Sequence, residues 1–254
     1  MIPSSLAPRW RAALRYLGWA GSPLGWRVGR GRCPNCGGRV FVSLRPDPFM
    51  TRCLRCRANG TNLSLIPVIR EHMAGTPVRK AWEMSTYGAT LDFLRRELPD
   101  VVASEYFEGV ASGTLVDGVR CEDVQATSFA DASLDLVTSN QVFEHVPDDL
   151  AGYAECARIL RPGGALVFSV PLYDIPVTRR LARIEDGRVI VDGEAEYHDS
   201  RASGPKSVLT FWRHSVHDIA ARVAAAGFDV ALREVRVATS QRHPAFVVYA
   251  MRRV

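Results

Sequence analysis

Nowhere among the 254 residues is there an apolar run long enough to cross a bilayer. Arg9, Arg11 and Arg15 are not followed by the apolar core of a secretory signal. Together these absences disfavour a membrane span and export, and a cytoplasmic protein is the expectation. Cysteine is sparse. Of six, Cys33, Cys36, Cys53 and Cys56 form two C-x-x-C pairs, while Cys121 and Cys156 stand alone in apolar segments and read as small core residues. Acids are too few to balance bases, 27 against 32, which leaves a net charge of +5. Much of the excess lies between Arg9 and Arg57, which permits an anionic partner such as RNA, a phosphorylated metabolite or a membrane surface. A solvated basic face would carry the same charge. With 47% hydrophobic residues the chain can bury one main core beside a small accessory domain.

Residues 1–28 read as a basic, aromatic arm. Trp10, Ala13, Leu14 and Leu17 recur at helical spacing, which predicts a short amphipathic helix over Arg9–Leu17. Such a helix docks on its own protein or makes peripheral contact with a membrane or nucleic acid. Residues 29–60 contain C-x2-C-x16-C-x2-C, the spacing of a four-cysteine zinc site. Two thiolates on one tight knuckle both reach a tetrahedral ion, and four of them close the site, so its role would be structural. Disulfide bonding is the alternative, disfavoured in the cytoplasm. Val40, Val42 and Leu44 alternate as in a ribbon strand, and residues 61–77 form a linker with a helical piece over Leu63–His72.

The most informative stretch is SLDLVTSNQVFEHVPDDLAGYAECARILRPGGALVFSVP. Leu134, Leu136 and Val137 form a short apolar strand that opens into polar Thr138, Ser139 and Asn140. Pro147, Asp148 and Asp149 then start a helix. Its expected buried stripe is Leu150, Tyr153, Ala154, Ala157 and Leu160. Pro162, Gly163 and Gly164 end it before a second apolar strand, Ala165–Val170. A strand–helix–strand unit favours a parallel sheet covered by helices. Polar groups just past such a strand, here Asn140, Gln141, Glu144 and His145, sit where open α/β sheets bind ligands.

This stretch resembles the fourth strand, following helix and fifth strand of class I S-adenosylmethionine-dependent methyltransferases, over roughly residues 78–254. The resemblance implies an α/β, Rossmann-like, mostly parallel sheet with helices on both faces and an antiparallel last strand, preceded by the zinc ribbon. In that family a first strand ends in an acid and runs into a G-x-G-x-G loop. Here AWEMSTYG offers Glu83 for the acid, Ser85 and Thr86 for the loop and Gly88 for its last glycine; the first two glycines are missing. Glu105, about twenty residues on, stands where such folds place the acid for ribose hydroxyls. DVQATSFADASLDLV resembles the family segment in which an aspartate takes the adenine amino group, which puts Asp123 and Val124 beside the cofactor. Glu83, Glu105, Asp123 and Asn140 then mark four successive strand ends.

Beyond Val170, residues 171–207 read as an insert over the acceptor pocket, with a hairpin at Asp186-Gly187 from Leu181 to Val191. Glu196, Tyr197 and His198 resemble a motif found after the fifth strand in similar methyltransferases. Trp212–Ala226 reads as an amphipathic helix carrying His214 and His217, before two final strands, Phe228–Val237 and Ala245–Met251. Methyl transfer is an in-line displacement that chiefly needs positioning. A hydroxyl or acidic-carbon acceptor also gains from a general base. The candidates are His145, His198 and Glu144, with Tyr197 as a hydrogen-bond partner. His145 has a helix-start packing role as its alternative, and Glu144 with His145 could instead hold a divalent ion. The expected function is methyl transfer to a small-molecule, sugar or lipid-linked acceptor. RNA methylation with a phosphate-gripping ribbon, and a non-catalytic binding module, are the alternatives.

Overall fold

The computed structural model describes residues 25–45, 47–200 and 204–254. The helix expected over Arg9–Leu17 lies outside them. The chain divides into two compact units. One runs to Ser64 and takes in Val235–Ala245; the other comprises Leu65–Glu234 and Phe246–Val254.

In the first unit, β1 (Arg27–Arg30), β2 (Val40–Ser43) and β3 (Thr51–Cys53) form an antiparallel sheet in that order. The cysteine pairs occupy the turns after β1 and at the end of β3. The buried phase of β2 is the reverse of the expected one: Phe41 and Ser43 are buried, whereas Val40 is 43% exposed. Residues 237–241 close over this sheet, which the sequence did not announce. Thr239 N donates to the Arg30 carbonyl at 2.9 Å, and Ser43 Oγ donates to Ser240 Oγ at 2.8 Å. Gly31 is required by that contact, because a Cβ there would lie 2.1 Å from the Val237 carbonyl oxygen.

The helix of the linker spans Gly60–Gly75 (α1), its first five residues counted with the first unit and the rest with the second, which also holds a large sheet. The sheet is built from β4 (Lys80–Glu83), β5 (Asp100–Glu105), β6 (Leu115–Val116), β7 (Val119–Cys121), β8 (Leu134–Asn140), β9 (Leu160–Ser169), β17 (Phe228–Val235) and β18 (Ala245–Arg252). Its order is β17-β18-β9-β8-β4-β5-β7-β6. The pairs β4–β5, β4–β8, β8–β9 and β5–β7 are parallel, and β18 runs antiparallel to β9. This is a Rossmann-like sheet. From β4 the chain steps one way to β5 through α2 (Ala89–Glu97), and from β8 the opposite way to β9 through α3 (Asp149–Ile159). Right-handed crossovers therefore put α2 and α3 on opposite faces. Strand order reverses between β4 and β8, the kind of switch point beside which open α/β sheets bind ligands. Trp82, Val137, Phe143, Tyr153 and Phe168 belong to the hydrophobic core.

Two helical expectations change. The buried stripe of α3 is Asp149, Gly152, Tyr153, Cys156 and Ile159, and Leu150 is 47% exposed. A buried ion pair turns the helix this way: Arg222 NH2 donates to both Asp149 oxygens at 2.6 and 2.8 Å. Nor is Trp212–Ala226 one helix. Trp212–Ser215 is strand β16, pairing with β10 (Leu172–Tyr173) on one side and β11 (Arg179–Arg180) on the other, and only Ile219–Ala224 (α4) is helical. Burial alternates at Trp212, Arg213 and His214 as in a strand. His214 and His217 therefore do not share a helix face. His214 is buried, with a ring nitrogen 3.8 Å from Asp149, and His217 Nε2 meets Asp174 at 2.7 Å. The expected hairpin is present as β12 (Ala182–Glu185) and β13 (Arg188–Val191), and a second, β14 (Tyr197–Ser200) with β15 (Gly204–Leu209), follows it.

Candidate active site

Four strand ends bring the expected cofactor residues to one edge of the sheet. Glu83, last in β4, is buried and accepts a hydrogen bond from the Thr138 hydroxyl on neighbouring β8. Burial pushes its pKa up to about 8, opposed by the Thr138 hydrogen bond and reinforced by the charge of Glu105. One oxygen of Glu105 accepts from Thr86 N at 2.8 Å and from Thr86 Oγ1 at 2.6 Å. The glycine-poor loop is thus tied to the acid of the next strand. Ser85 Oγ donates to the Tyr87 carbonyl at 3.1 Å, so its hydroxyl is spent within the loop. Gly88 sits at φ 117 directly before α2, a conformation that side chains resist, and no side chain caps that helix.

Asp123 Oδ1 accepts from Gln125 N at 2.9 Å and Gln125 Nε2 at 3.0 Å, and Val124 is packed into the core. At the end of β8, Asn140 Oδ1 accepts from Ser169 Oγ at 2.7 Å, while its buried amide nitrogen has no partner. Gln141 adopts φ 58, and its Nε2 donates to the same Ser169 hydroxyl at 3.3 Å. Ser169 was missed at the sequence level, although its place at the end of the fifth strand is the signal that could have found it.

The second constellation follows β8. Phe143–His145 form a single 3-10 turn that presents Glu144 and His145 to His198 on β14. Segment 209–211 holds the parts together: the Leu209 carbonyl accepts from His145 Nδ1 at 2.8 Å, Thr210 N donates to the Glu196 carbonyl, and Phe211 N donates to the Glu144 carbonyl. No pattern in the sequence points to that hub. With Nδ1 so engaged, His145 Nε2 is the accepting nitrogen, and His198 Nδ1 lies 3.2 Å from it. Burial lowers the His145 pKa to about 4, opposed by the Leu209 hydrogen bond, so the ring is neutral.

Glu144 is 1% exposed, and neither carboxylate oxygen has a partner on another residue; burial lifts its pKa to about 8. Its Oε1 stands 3.8 Å from both His145 Nε2 and His198 Nδ1. Behind His198, Nε2 is 3.5 Å from Glu196 Oε1, and Arg213 donates twice to Glu196 Oε2, at 2.9 and 2.6 Å. The Tyr173 hydroxyl completes the shell at 3.5 Å from Glu196 Oε1. Arg213 and Tyr173 are additions to the expected set. Tyr197 is the candidate that stays outside: it is 47% exposed, and strand alternation turns it away from the face of His198.

Among the ribbon cysteines, the Sγ atoms of Cys33 and Cys56 are 3.6 Å apart and those of Cys36 and Cys53 are 3.7 Å apart, and all four lie within 4.8 Å of one another. Thiolates about 2.3 Å from one tetrahedral zinc stand roughly 3.8 Å apart, so the cage fits that ion.

Residues 86–168 match a family model described as a methyltransferase domain. A probable S-adenosylmethionine-dependent methyltransferase of Mycolicibacterium smegmatis is 35% identical over 105 residues, covering 39% of each chain. A malonyl-[acyl-carrier protein] O-methyltransferase of Hahella chejuensis is 39% identical over 71 residues, 28% of this chain and 24% of that one. The matched stretch is thus well under half the length of either relative. Among solved structures, an S-adenosylmethionine-dependent methyltransferase from Mesorhizobium loti has a TM-score of 0.49 at 19% identity, covering 74% of this chain and 98% of that one. An amino pentose methyltransferase from Micromonospora echinaspora scores 0.49 at 18% identity, covering 74% and 89%.

Proposed function

We propose that this chain transfers a methyl group from S-adenosylmethionine to a small-molecule, sugar or lipid-linked acceptor. One observation carries the reading. Along one edge of the parallel sheet Glu105 ends β5, Asp123 follows β7 and Asn140 ends β8, with β4 between β8 and β5 and all three residues within the segment that matches a methyltransferase domain. The residues suit the cofactor. Glu105 and Asp123 offer carboxylate oxygens to ribose and adenine donors, and the orphaned Asn140 amide nitrogen offers a donor beside them. The uncapped first turn of α2 behind Gly88 presents backbone N–H groups to a carboxylate. When bound, the cofactor supplies a methyl group on a positively charged sulfur.

The chain's own work is then to hold donor and acceptor in line and to keep water away. The insert, residues 171–207, is placed on the acceptor side in this reading, because it carries His198 to Glu144 and His145. The four-cysteine cage is proposed as a structural zinc site.

Calorimetric titration with S-adenosylmethionine tests this reading. Wild type is expected to bind, and Asp123→Asn and Glu105→Gln to bind more weakly, by roughly tenfold or more, as loss of a charged hydrogen bond predicts. A chain that takes up no cofactor at millimolar concentration would be the non-catalytic module instead.

A further inference from the structure

We propose that Glu144, His145 and His198 form a second cation site, for a divalent transition ion of the Zn2+ type, with at least one coordination position left open. Glu144 is otherwise unaccounted for. A carboxylate 1% exposed, with no hydrogen-bond partner on another residue, is unfavourable unless something compensates it. Two imidazole nitrogens stand 3.8 Å from it, a ligand set that suits zinc and its first-row neighbours better than magnesium or calcium.

The spacing fits. Glu144 Oε1, His145 Nε2 and His198 Nδ1 form a triangle with sides of 3.8, 3.8 and 3.2 Å. A point equidistant from the three atoms lies about 2.1 Å from each, inside the range of about 2.0–2.2 Å for zinc–nitrogen and zinc–oxygen bonds. The two rings stand edge to face at 89°, so their planes do not collide.

The groups behind the rings fit as well. A metal-bound histidine commonly donates its far N–H to a carbonyl or carboxylate. His145 does so through Nδ1 to the Leu209 carbonyl, and His198 Nε2 faces Glu196, which Arg213 holds in place. In the metal-free chain His198 Nδ1–H donates to His145 Nε2. Moving that proton to Nε2, where Glu196 can accept it, frees the Nδ1 lone pair for the ion. With three protein ligands and one position open, the site has the donor count of catalytic rather than structural zinc. Its use, binding an acceptor oxygen and lowering that oxygen's pKa, rests on the methyl-transfer reading. The site itself does not.

The test counts metal, not turnover. Untagged wild-type chain, dialysed against buffered micromolar Zn2+, is expected to hold two zinc ions by elemental analysis, one of them in the cysteine cage. Glu144→Gln and His198→Ala are each expected to hold one. Retention of the cysteine-bound ion and a cooperative melt show that both variants are folded. Glu196→Gln, a positioning variant, is expected to keep the second ion with affinity lowered roughly 10–100-fold, as read by competition with a chromophoric chelator. One zinc in wild type, or two in Glu144→Gln and His198→Ala alike, overturns the proposal. Cofactor titration on the same samples reports separately on methyl transfer.

Discussion

Among the described residues, the two clusters suited to a cation are built in opposite ways. The cysteine cage takes all its ligands from two tight turns, three positions apart within each turn, and offers four sulfurs to one ion. The Glu144–His145–His198 cluster takes two ligands from one 3-10 turn and the third from a hairpin 53 residues later, and it offers three donors. A closed set suits a site that holds a fold together, and an open set suits one that handles a ligand. The difference also governs how each is read. Spacing within a turn is written in the sequence, whereas the meeting of residues 144 and 198 depends on how the insert packs.

The harshest way to break the comparison is to open the closed cage. Cys36→Ser removes one of four thiolates from a unit whose three short strands have little else to bury. Structural zinc contributes on the order of 10–16 kcal/mol to small zinc domains. The variant is therefore expected to lose that ion and to become cleavable by protease between residues 25 and 64, while the wild type resists. A serine variant with unchanged metal content and protease resistance would show that the cage holds no structural ion.

The same contrast explains what could be read in advance. Strand β8, the start of α3, the two cysteine knuckles and the hairpin at Asp186-Gly187 all rest on local signals, and the structure has each of them. The buried stripe of α3 departs from the hydropathy pattern, which ranks Leu150 above Asp149, because the distant Arg222 pairs with Asp149 where it is buried. Trp212–Ser215 resembled a helix because its apolar residues suit either period, and the pairing with residues 172–173 and 179–180 decides for a strand. The hub at Leu209–Phe211 acts largely through backbone atoms, which carry no sequence signal.

A middle-sized effect sharpens the contrast between two buried carboxyls. Glu83 and Glu144 are both buried, but Glu83 has the Thr138 hydroxyl as donor. Its pKa is raised from 4.5 to about 8 in the folded chain. Between those pH values the folded chain keeps a proton that the unfolded chain has released. Glu83 therefore contributes stability that declines as pH rises through this window, by at most about 1.4 kcal/mol per pH unit. In urea titrations, Glu83→Gln should gain on wild type steadily from pH 5 to about pH 8. Comparing the two proteins cancels the share of Glu144, which both retain. A difference independent of pH would mean that Glu83 is ionised in the fold.

The smallest effect is expected at Tyr197, and its smallness is informative. By adjacency in sequence, Tyr197 is as good a candidate as its neighbours Glu196 and His198. In β14 successive side chains alternate faces, so His198 turns to Glu144 while Tyr197 is left 47% exposed. The aromatic hydroxyl within reach of Glu196 belongs to Tyr173 instead. Tyr197→Phe should therefore change stability by no more than about 0.5 kcal/mol and leave zinc affinity at the second site within about twofold of wild type, since no ligand or supporting group is lost. Loss of the ion in Tyr197→Phe would place its hydroxyl inside the cluster. The alternation of β14, and with it the approach of His198 to Glu144, would then have to be redrawn.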